Sequence, residues 1–154
     1  MITEDKTSPR HIYLADDDED DRILFAEALS EIDSSAVLTQ AENGKQLMDI
    51  LSIPTNPLPE VIFLDINMPK LNGFECLEKI RKENEDLKNV QVIIFTTSNN
   101  PATVEKAFEL GASFYAVKPN SFKALKSLID KILQIDWFSA TQEDRKFQLI
   151  DRKI

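Results

Sequence analysis

The sequence predicts a single α/β domain, an open and doubly wound sheet of five parallel strands covered by helices on both faces. Three observations predict this fold class. Five short β-branched or apolar runs alternate with segments whose apolar residues recur every three or four positions. The runs VIFL and VQVIIF each contain four consecutive apolar residues, as expected of strands that are buried on both faces. The 154 residues have room for one such domain and not for the eight units of a barrel.

Turn-forming residues separate the predicted strands. A run of acids follows the first strand, Gly44 stands at the start of the second helix, and three prolines occupy the loop before the third strand. Gly111 marks the end of the fourth helix, before the last strand. The strands are predicted over residues 12–15, 36–41, 61–64, 90–96 and 113–117.

The helices are predicted from apolar spacings of three and four. Phe74, Leu77 and Ile80 show this spacing after the third strand, and it recurs over residues 104–108 after the fourth. A fifth helix is predicted over residues 121–135. Five βα units favour the flavodoxin-like (βα)5 strand order 2-1-3-4-5, because parallel crossovers are right-handed.

The chain divides into three parts. Residues 1–9 are polar and predict a flexible N-terminal segment, residues 10–135 form the domain, and residues 136–154 form a helical extension too short for an output domain. Phe147 and Ile150 recur at helical spacing in the extension. We expect it to pack on its own domain, although a regulatory or dimer-forming helix fits the same pattern.

Composition and charge exclude several classes of function. The net charge is −9, and the six consecutive acids at 16–21 contribute −6 of it, so direct DNA binding is not expected. No apolar run reaches membrane-spanning length and the N-terminus does not resemble a signal peptide, which predicts a cytoplasmic protein. With one cysteine, Cys76, and one histidine, His11, a disulfide is excluded and a Cys/His zinc site is disfavoured, so any metal should be held by oxygen.

Polar side chains stand at the ends of the predicted strands. Asp16 and Asp17 follow the first strand and Asp65 follows the third, while Thr96 ends the fourth and Lys118 follows the fifth. In open α/β sheets, ligands gather beyond the carboxyl ends of the strands. The sequence therefore predicts a site in which three carboxylates, a hydroxyl and an ammonium lie together.

Three carboxylates cannot share a site as anions without a compensating charge. Two carboxylates about 4 Å apart repel by roughly 4 kcal/mol at an effective dielectric constant near 20. A hard divalent cation is the favoured remedy, and Mg²⁺ is usually held by one or two carboxylates, although Mn²⁺ could substitute. The alternative is partial protonation, with Lys118 as the counter-ion.

A carboxylate beside Mg²⁺, a lysine and a hydroxyl is equipped to attack a phosphoryl donor. The product would be an aspartyl phosphate at Asp65. The alternative is that Asp65 only caps the following helix, and its partners Asp17, Thr96 and Lys118 argue against that alternative.

Four sequence motifs carry a resemblance to a known family. They occur in order as IYLADDDEDDR, VIFLDINMPKLNGFECLEKIR, VIIFTTS and AVKP. Together they closely resemble the receiver domain of bacterial response regulators, the CheY-like single-domain kind, over residues 10–135. Asp65, Met68, Pro69 and Gly73 fill the family's most specific signature, and Arg22 sets the register of the first acidic pair.

The resemblance implies a role for each residue of the predicted metal site. Asp17 and Asp65 would ligate Mg²⁺ directly, together with the backbone carbonyl of Asn67. Asp16 would act through water.

The resemblance also implies the parts of a switch. Lys118 would hold a phosphoryl oxygen, Thr96 would turn its hydroxyl toward the phosphoryl group, and Pro119 would follow a cis peptide bond. Tyr115 sits where an aromatic rotates inward on activation, although an aromatic that merely covers the sheet edge fits too. Thr97 is larger than is common in the family, but Thr-Thr-Ser occurs in phytochrome-linked, Rcp-like members.

The implied function is a stand-alone two-component response regulator. A sensor histidine kinase or a phosphotransfer protein would phosphorylate Asp65, and the change would alter binding of an unknown downstream protein or of a second copy through the α4-β5-α5 face. The protein would not be an enzyme beyond its own phosphorylation and dephosphorylation.

Two other functions use the same residues. A Mg²⁺-dependent phosphatase with an aspartyl nucleophile would need an acid two residues after Asp65, where Asn67 stands. A pure interaction module would retain these residues in a vestigial site that is no longer phosphorylated. A P-loop enzyme is excluded because the chain has three glycines and no GxxxxGK motif.

Overall fold

The computed structural model describes residues 9–83 and 85–135. Strands and helices alternate through these residues, with one short 3-10 helix before the fourth strand. The strands are β1 (His11–Ala15), β2 (Val37–Ala41), β3 (Val61–Leu64), β4 (Gln91–Thr96) and β5 (Phe114–Val117). The helices are α1 (Glu19–Ile32), α2 (Gly44–Leu51), α3 (Gly73–Lys82), α4 (Pro101–Glu109) and α5 (Phe122–Leu133), and the 3-10 helix is Glu85–Leu87.

Predictions for both ends of the chain fall beyond this region. Residues 1–8 of the N-terminal segment and residues 136–154 of the helical extension lie outside the described residues. Within the described part of the chain, no helix has the length and apolar character needed to cross a membrane.

The five strands form one parallel sheet in the order β2-β1-β3-β4-β5, which confirms the predicted flavodoxin-like fold. Ala15 at the end of β1 pairs with Ala41 of β2 and with Leu64 of β3, so the strands end at one edge of the sheet. The strand bounds agree with the prediction to within one residue. β2 and β4 begin one residue late because Ala36 and Val90 still donate backbone hydrogen bonds to the preceding turns.

Helices cover both faces of the sheet, so its central strand is fully buried. All four residues of β3 are 0% exposed. On one face, α1 packs beside α5, and Phe25 of α1 meets Phe63 and Phe95 edge to face with ring centroids 4.9 and 5.9 Å apart. Such aromatic pairs contribute about 0.5–1.5 kcal/mol each beyond their buried area. They fix α1 against the strands that carry the predicted site.

Each of the five helices begins at a polar side chain that accepts a backbone hydrogen bond. In α3, Asn72 and Glu75 form a reciprocal capping box. Caps of this kind satisfy backbone N–H groups that would otherwise lack a partner. The N-caps are Asp18, Asn43, Asn72, Asn100 and Ser121.

Gly73 lets the start of α3 approach the end of β3 closely. A Cβ at Gly73 would lie 2.3 Å from the carbonyl oxygen of Asp65 and 2.8 Å from the Cα of Ile66. Its backbone N–H donates to the carbonyl of Ile66 at 2.9 Å. The glycine therefore sets the backbone position of Asp65, which explains its place in the most specific sequence motif.

We expect Gly73→Ala to lower the free energy of unfolding by about 1–3 kcal/mol, since the added methyl group would collide with backbone atoms that cannot move freely. Urea unfolding followed by circular dichroism measures this change. Ser127→Ala, on an exposed position of α5, is the control and should change stability little. Equal stabilities of the two variants would contradict the close approach.

Candidate functional site

The predicted polar residues meet at the carboxyl edge of the sheet. Asp16 is 1% exposed, Asp65 is 7% exposed and Thr96 is fully buried, whereas Asp17 is exposed. Asp16, Asp17 and Asp65 each offer a carboxylate oxygen within 4.8 Å of the others. The structure thus brings together the three acids that sequence reasoning selected.

Asn67 lies at the exposed rim of this cluster. Its backbone N–H donates a long hydrogen bond of 3.4 Å to Oδ1 of Asp65. The other oxygen of Asp65, Oδ2, faces Lys118 instead. The two oxygens of Asp65 therefore have different environments.

Lys118 contacts three carboxylates at once. Its Nζ lies 2.7 Å from Oδ2 of Asp16, 2.8 Å from Oδ2 of Asp21 and 3.3 Å from Oδ2 of Asp65. The lysine side chain is only 11% exposed. Its Nζ also lies 5.8 Å from the ring centroid of Phe95, at a distance that suits a cation–π contact.

Asp21 is a site residue that sequence reasoning missed. From the sequence alone, the acids at 18–21 are expected in the first turn of a helix, and the structure does place Asp18 at the N-cap and the next three acids in the first turn of α1. The side chain of Asp21 nevertheless reaches Lys118. The one available signal was its spacing of four from Asp17, which puts both acids toward the same side of a helix start.

Burial and neighbouring charges shift the pKa values in the cluster. Burial raises the pKa of Asp16 to about 6, although Lys118 and the backbone N–H of Asp18 act in the opposite direction. For Lys118, burial alone would lower the pKa, but the close contacts with Asp16 and Asp21 and the charge of Asp65 together raise it above the usual value. The ammonium is therefore held in its charged form by the acids around it.

The donor set fits a hard divalent cation. Oδ2 of Asp16 is buried and lies 2.7 Å from Nζ of Lys118. The angles of that contact do not suit a hydrogen bond, so this oxygen has no hydrogen-bond partner in the part of the chain that the structure describes. One ammonium stands against four nearby carboxylates, so the cluster keeps an excess of negative charge. Oxygen ligands with excess negative charge are those that Mg²⁺ and Mn²⁺ select.

Arg22 anchors the loop after β1. Its guanidinium donates to the carbonyl oxygen of Asp16 at 2.8 Å, and it lies 4.0 Å from a carboxylate oxygen of Glu42. This contact explains why an arginine stands six residues after Asp16 in the sequence. It holds the backbone that presents Asp16 and Asp17.

Thr96 and Tyr115 lie on the neighbouring strands β4 and β5, where Thr96 pairs with Val117 and Tyr115 with Ile94. Their hydroxyl groups differ in hydrogen bonding. The hydroxyl of Thr96 is buried and has no hydrogen-bond partner among residues 9–83 and 85–135. Tyr115 is 0% exposed, and its hydroxyl donates to the carbonyl oxygen of Ser98 at 2.6 Å. Burial raises the pKa of Tyr115. The tyrosine is thus in an inward position, bonded to the loop between β4 and α4.

One expectation about the backbone is wrong. The resemblance implied a cis peptide bond between Lys118 and Pro119, but every peptide bond of the described residues is trans. The trans form is the lower-energy one before proline as before other residues.

Comparison with known proteins identifies the class. Residues 12–130 match the family described as the response regulator receiver domain. Over 137 residues, the chain is 32% identical to response regulator Rcp1 of Synechocystis sp., covering 85% of this chain and 91% of that protein. It is 38% identical over 122 residues to sensory transduction protein LytT of Oceanobacillus iheyensis, but it spans only 47% of LytT against 79% of itself.

Solved structures agree with the sequence matches. The fold is similar to that of the phosphorylated cyanobacterial phytochrome response regulator RcpA, with a TM-score of 0.77, 27% identity, and coverage of 87% of this chain and 98% of that one. It is also similar to the Mn²⁺-bound form of Rcp1, with a TM-score of 0.73, 31% identity, and coverage of 86% and 98%.

The chain therefore belongs to the response regulator receiver domain family. Members of this family are signalling switches that work with histidine kinases or phosphotransfer proteins, and phosphorylation and Mg²⁺ binding are typical of them. Within the family, the predicted resemblance to the phytochrome-linked, Rcp-like group is confirmed by the similarity to Rcp1 and RcpA. The acidic cluster fits divalent-metal binding in a domain of this kind.

Proposed function

We propose that this protein is a response regulator that accepts a phosphoryl group on Asp65 from a histidine kinase or phosphotransfer protein. The observation that supports it best is the setting of Asp65. Its carboxylate lies within 4.8 Å of two other acids and 3.3 Å from an ammonium, at the edge where the strands end. We expect the reaction to take place in the cytoplasm.

The transfer requires a nucleophile and a means of stabilising charge. A carboxylate oxygen of Asp65 attacks the phosphorus of a phosphohistidine, the new phosphorus–oxygen bond forms, and the phosphorus–nitrogen bond breaks. The bonding electrons return to the imidazole of the donor, which takes up a proton. Lys118 stays charged and offers an N–H to the transferred oxygens.

A divalent cation belongs to the proposed site. Asp17, Asp65 and the backbone carbonyl of Asn67 would hold Mg²⁺, with Asp16 acting through water and Mn²⁺ as a possible substitute. When bound, the cation neutralises negative charge on the transferring phosphoryl oxygens. Two observations support this assignment: Oδ2 of Asp16 has no hydrogen-bond partner among the described residues, and the cluster holds more carboxylates than cations there.

The proposed output is a change in protein binding. Phosphorylation adds a charge of about −1.5 to −2. The hydroxyl of Thr96, which has no hydrogen-bond partner in the described part of the chain, would donate to a phosphoryl oxygen. Tyr115 already lies inward and joins β5 to the loop before α4 through Ser98. A shift at Thr96 would therefore bias the α4-β5-α5 face, where a downstream protein or a second copy of the chain would bind.

Incubation with Mg²⁺ and acetyl phosphate, followed by intact-mass analysis, tests the acceptor. We expect wild type to gain one phosphoryl group and Asp65→Asn to gain none, because an amide is not an adequate nucleophile. Asp49→Asn, which removes an exposed carboxylate from α2, is the control and should be phosphorylated like wild type.

Two results would contradict the proposed function. If no variant gains a phosphoryl group although Mg²⁺ binds, the interaction-module hypothesis is favoured. If phosphate is released continuously from several monoesters, the phosphatase hypothesis is favoured.

A further inference from the structure

The ammonium of Lys118 is held by a carboxylate that the proposed transfer does not use. Asp21 lies 2.8 Å from Nζ of Lys118, as close as Asp16 and closer than Asp65. It comes from α1, whereas the other two acids follow β1 and β3. Lys118 is thus drawn toward α1 as well as toward the acceptor.

This contact is not an ordinary feature of a helix start. An acid three residues after an N-cap commonly bonds back to the cap backbone, as Glu75 does to Asn72 in α3. Asp21 occupies the same position relative to Asp18, yet its carboxylate bonds to Lys118, and Asp18 caps the helix by itself. The side chain of Asp21 can therefore change without loss of the cap.

Three carboxylates surround the ammonium of Lys118, which donates hydrogen bonds to Asp21 and Asp65 and makes a close charge contact with Asp16. An ammonium carries three N–H groups, and it has three acids within 3.3 Å. A phosphoryl oxygen on Asp65 that bonds to Nζ therefore competes with these carboxylates for the ammonium. Asp21 is the carboxylate whose release costs least, because its side chain is 34% exposed and water can solvate it, whereas Asp16 is 1% exposed.

We infer that Asp21 is a positioning residue that holds Lys118 toward α1 in the unphosphorylated protein and must release it when Asp65 is phosphorylated. The inference rests on the proposed function. Because this contact is present before transfer and lost after it, Asp21 opposes phosphorylation and lowers the occupancy of the phosphorylated state at a given donor concentration.

The test compares three variants at saturating Mg²⁺, with acetyl phosphate as the donor and intact mass as the measurement. Asp21→Asn removes the contact, and Asp21→Glu keeps a carboxylate within reach of Lys118. Asp20→Asn is the matched control, because Asp20 carries the same charge in the same turn of α1 but is exposed. We expect Asp21→Asn to be phosphorylated about two- to fivefold faster, the range of a partly exposed ion pair, and the other two to remain close to wild type.

A second measurement follows Lys118 itself. Labelling with a small amine-reactive acetylating reagent, without Mg²⁺ or donor, reports how firmly Nζ is held and does not depend on phosphorylation. We expect labelling of Lys118 to increase in Asp21→Asn and not in Asp20→Asn. A merely structural role of Asp21 would not produce this selective change.

The outcomes separate the two proposals. Wild type that gains no phosphoryl group overturns the proposed function, and this inference with it. Phosphorylated wild type with an unchanged or slower Asp21→Asn overturns this inference alone. An equal acceleration in Asp20→Asn also overturns it, because the effect would then come from net charge and not from the contact.

Discussion

Replacement of Lys118 by methionine is expected to slow phosphorylation of Asp65 by about 100- to 1,000-fold, the cost of removing one preorganised donor from a charge-stabilising site. Methionine keeps most of the length of the side chain but offers no N–H to the phosphoryl oxygens. Among the described residues, Lys118 is the one cation within 4 Å of the carboxylate oxygens of Asp16, Asp21 and Asp65. No neighbouring lysine or arginine of the described chain is positioned to replace it.

The same substitution should strengthen Mg²⁺ binding. Lys118 neutralises part of the charge of the acidic cluster, so its loss leaves more carboxylate charge for the cation. Isothermal titration calorimetry measures the Mg²⁺ affinity, and intact mass with acetyl phosphate measures the phosphorylation rate. Opposite changes in the two quantities would show that the variant retains a folded site.

Lys126→Met is the matched control for Lys118→Met. Lys126 lies on α5, forms an ion pair of 2.9 Å with Glu31 and is 37% exposed, so its loss should affect neither quantity. If Lys118→Met is phosphorylated at the wild-type rate, the lysine serves only to balance charge in the unphosphorylated site.

The sequence was sufficient to predict the fold and most of the site, for a simple geometric reason. Consecutive apolar residues such as VIFL predict buried parallel strands, and parallel strands end at one edge. Asp16, Asp65, Thr96 and Lys118 could therefore be brought together without knowledge of any side-chain contact. Their chemical roles remain predictions.

Contacts made by helices were harder to predict. The bond between Asp21 and Lys118 depends on how α1 is placed opposite the end of β5, over 97 residues of sequence. That placement comes from the packing of Phe25 against Phe63 and Phe95. Periodicity identifies the helix but does not give its position along the strands, so the sequence alone predicts Asp21 only as an acid in the first turn of a helix.

Arg81 is a second residue whose role only the tertiary structure reveals. It ends the motif VIFLDINMPKLNGFECLEKIR, where it looks like a basic residue in the last turn of a helix. In the structure, its guanidinium donates to the carbonyl oxygens of Gly111 at 2.8 Å and Val90 at 2.8 Å, to that of Lys88 at 3.1 Å, and to Oγ of Ser113 at 3.3 Å. The arginine joins α3 to the segments that lead into β4 and β5.

Burial makes this arrangement sensitive to substitution. The Arg81 side chain is half-buried, and this partial removal from water lowers the pKa of its guanidinium. Hydrogen bonds to backbone carbonyl groups compensate the charged guanidinium for its lost hydration. Hydrogen bonds to charged groups contribute about 1.5–3 kcal/mol each to stability, although not additively. Those carbonyl groups would lose their donor together if the guanidinium were removed.

We therefore expect Arg81→Met to lower the free energy of unfolding by about 3–5 kcal/mol, since methionine fills much of the space but donates no hydrogen bond. Urea unfolding followed by circular dichroism measures the loss. Lys82→Met is the control, because Lys82 is the next residue of α3, is 69% exposed and pairs only with Glu78 among the described residues. A loss below about 1 kcal/mol in Arg81→Met would show that water replaces the guanidinium. A large loss would mean that the strands carrying Thr96 and Lys118 are held in place by a residue remote from the phosphoryl acceptor.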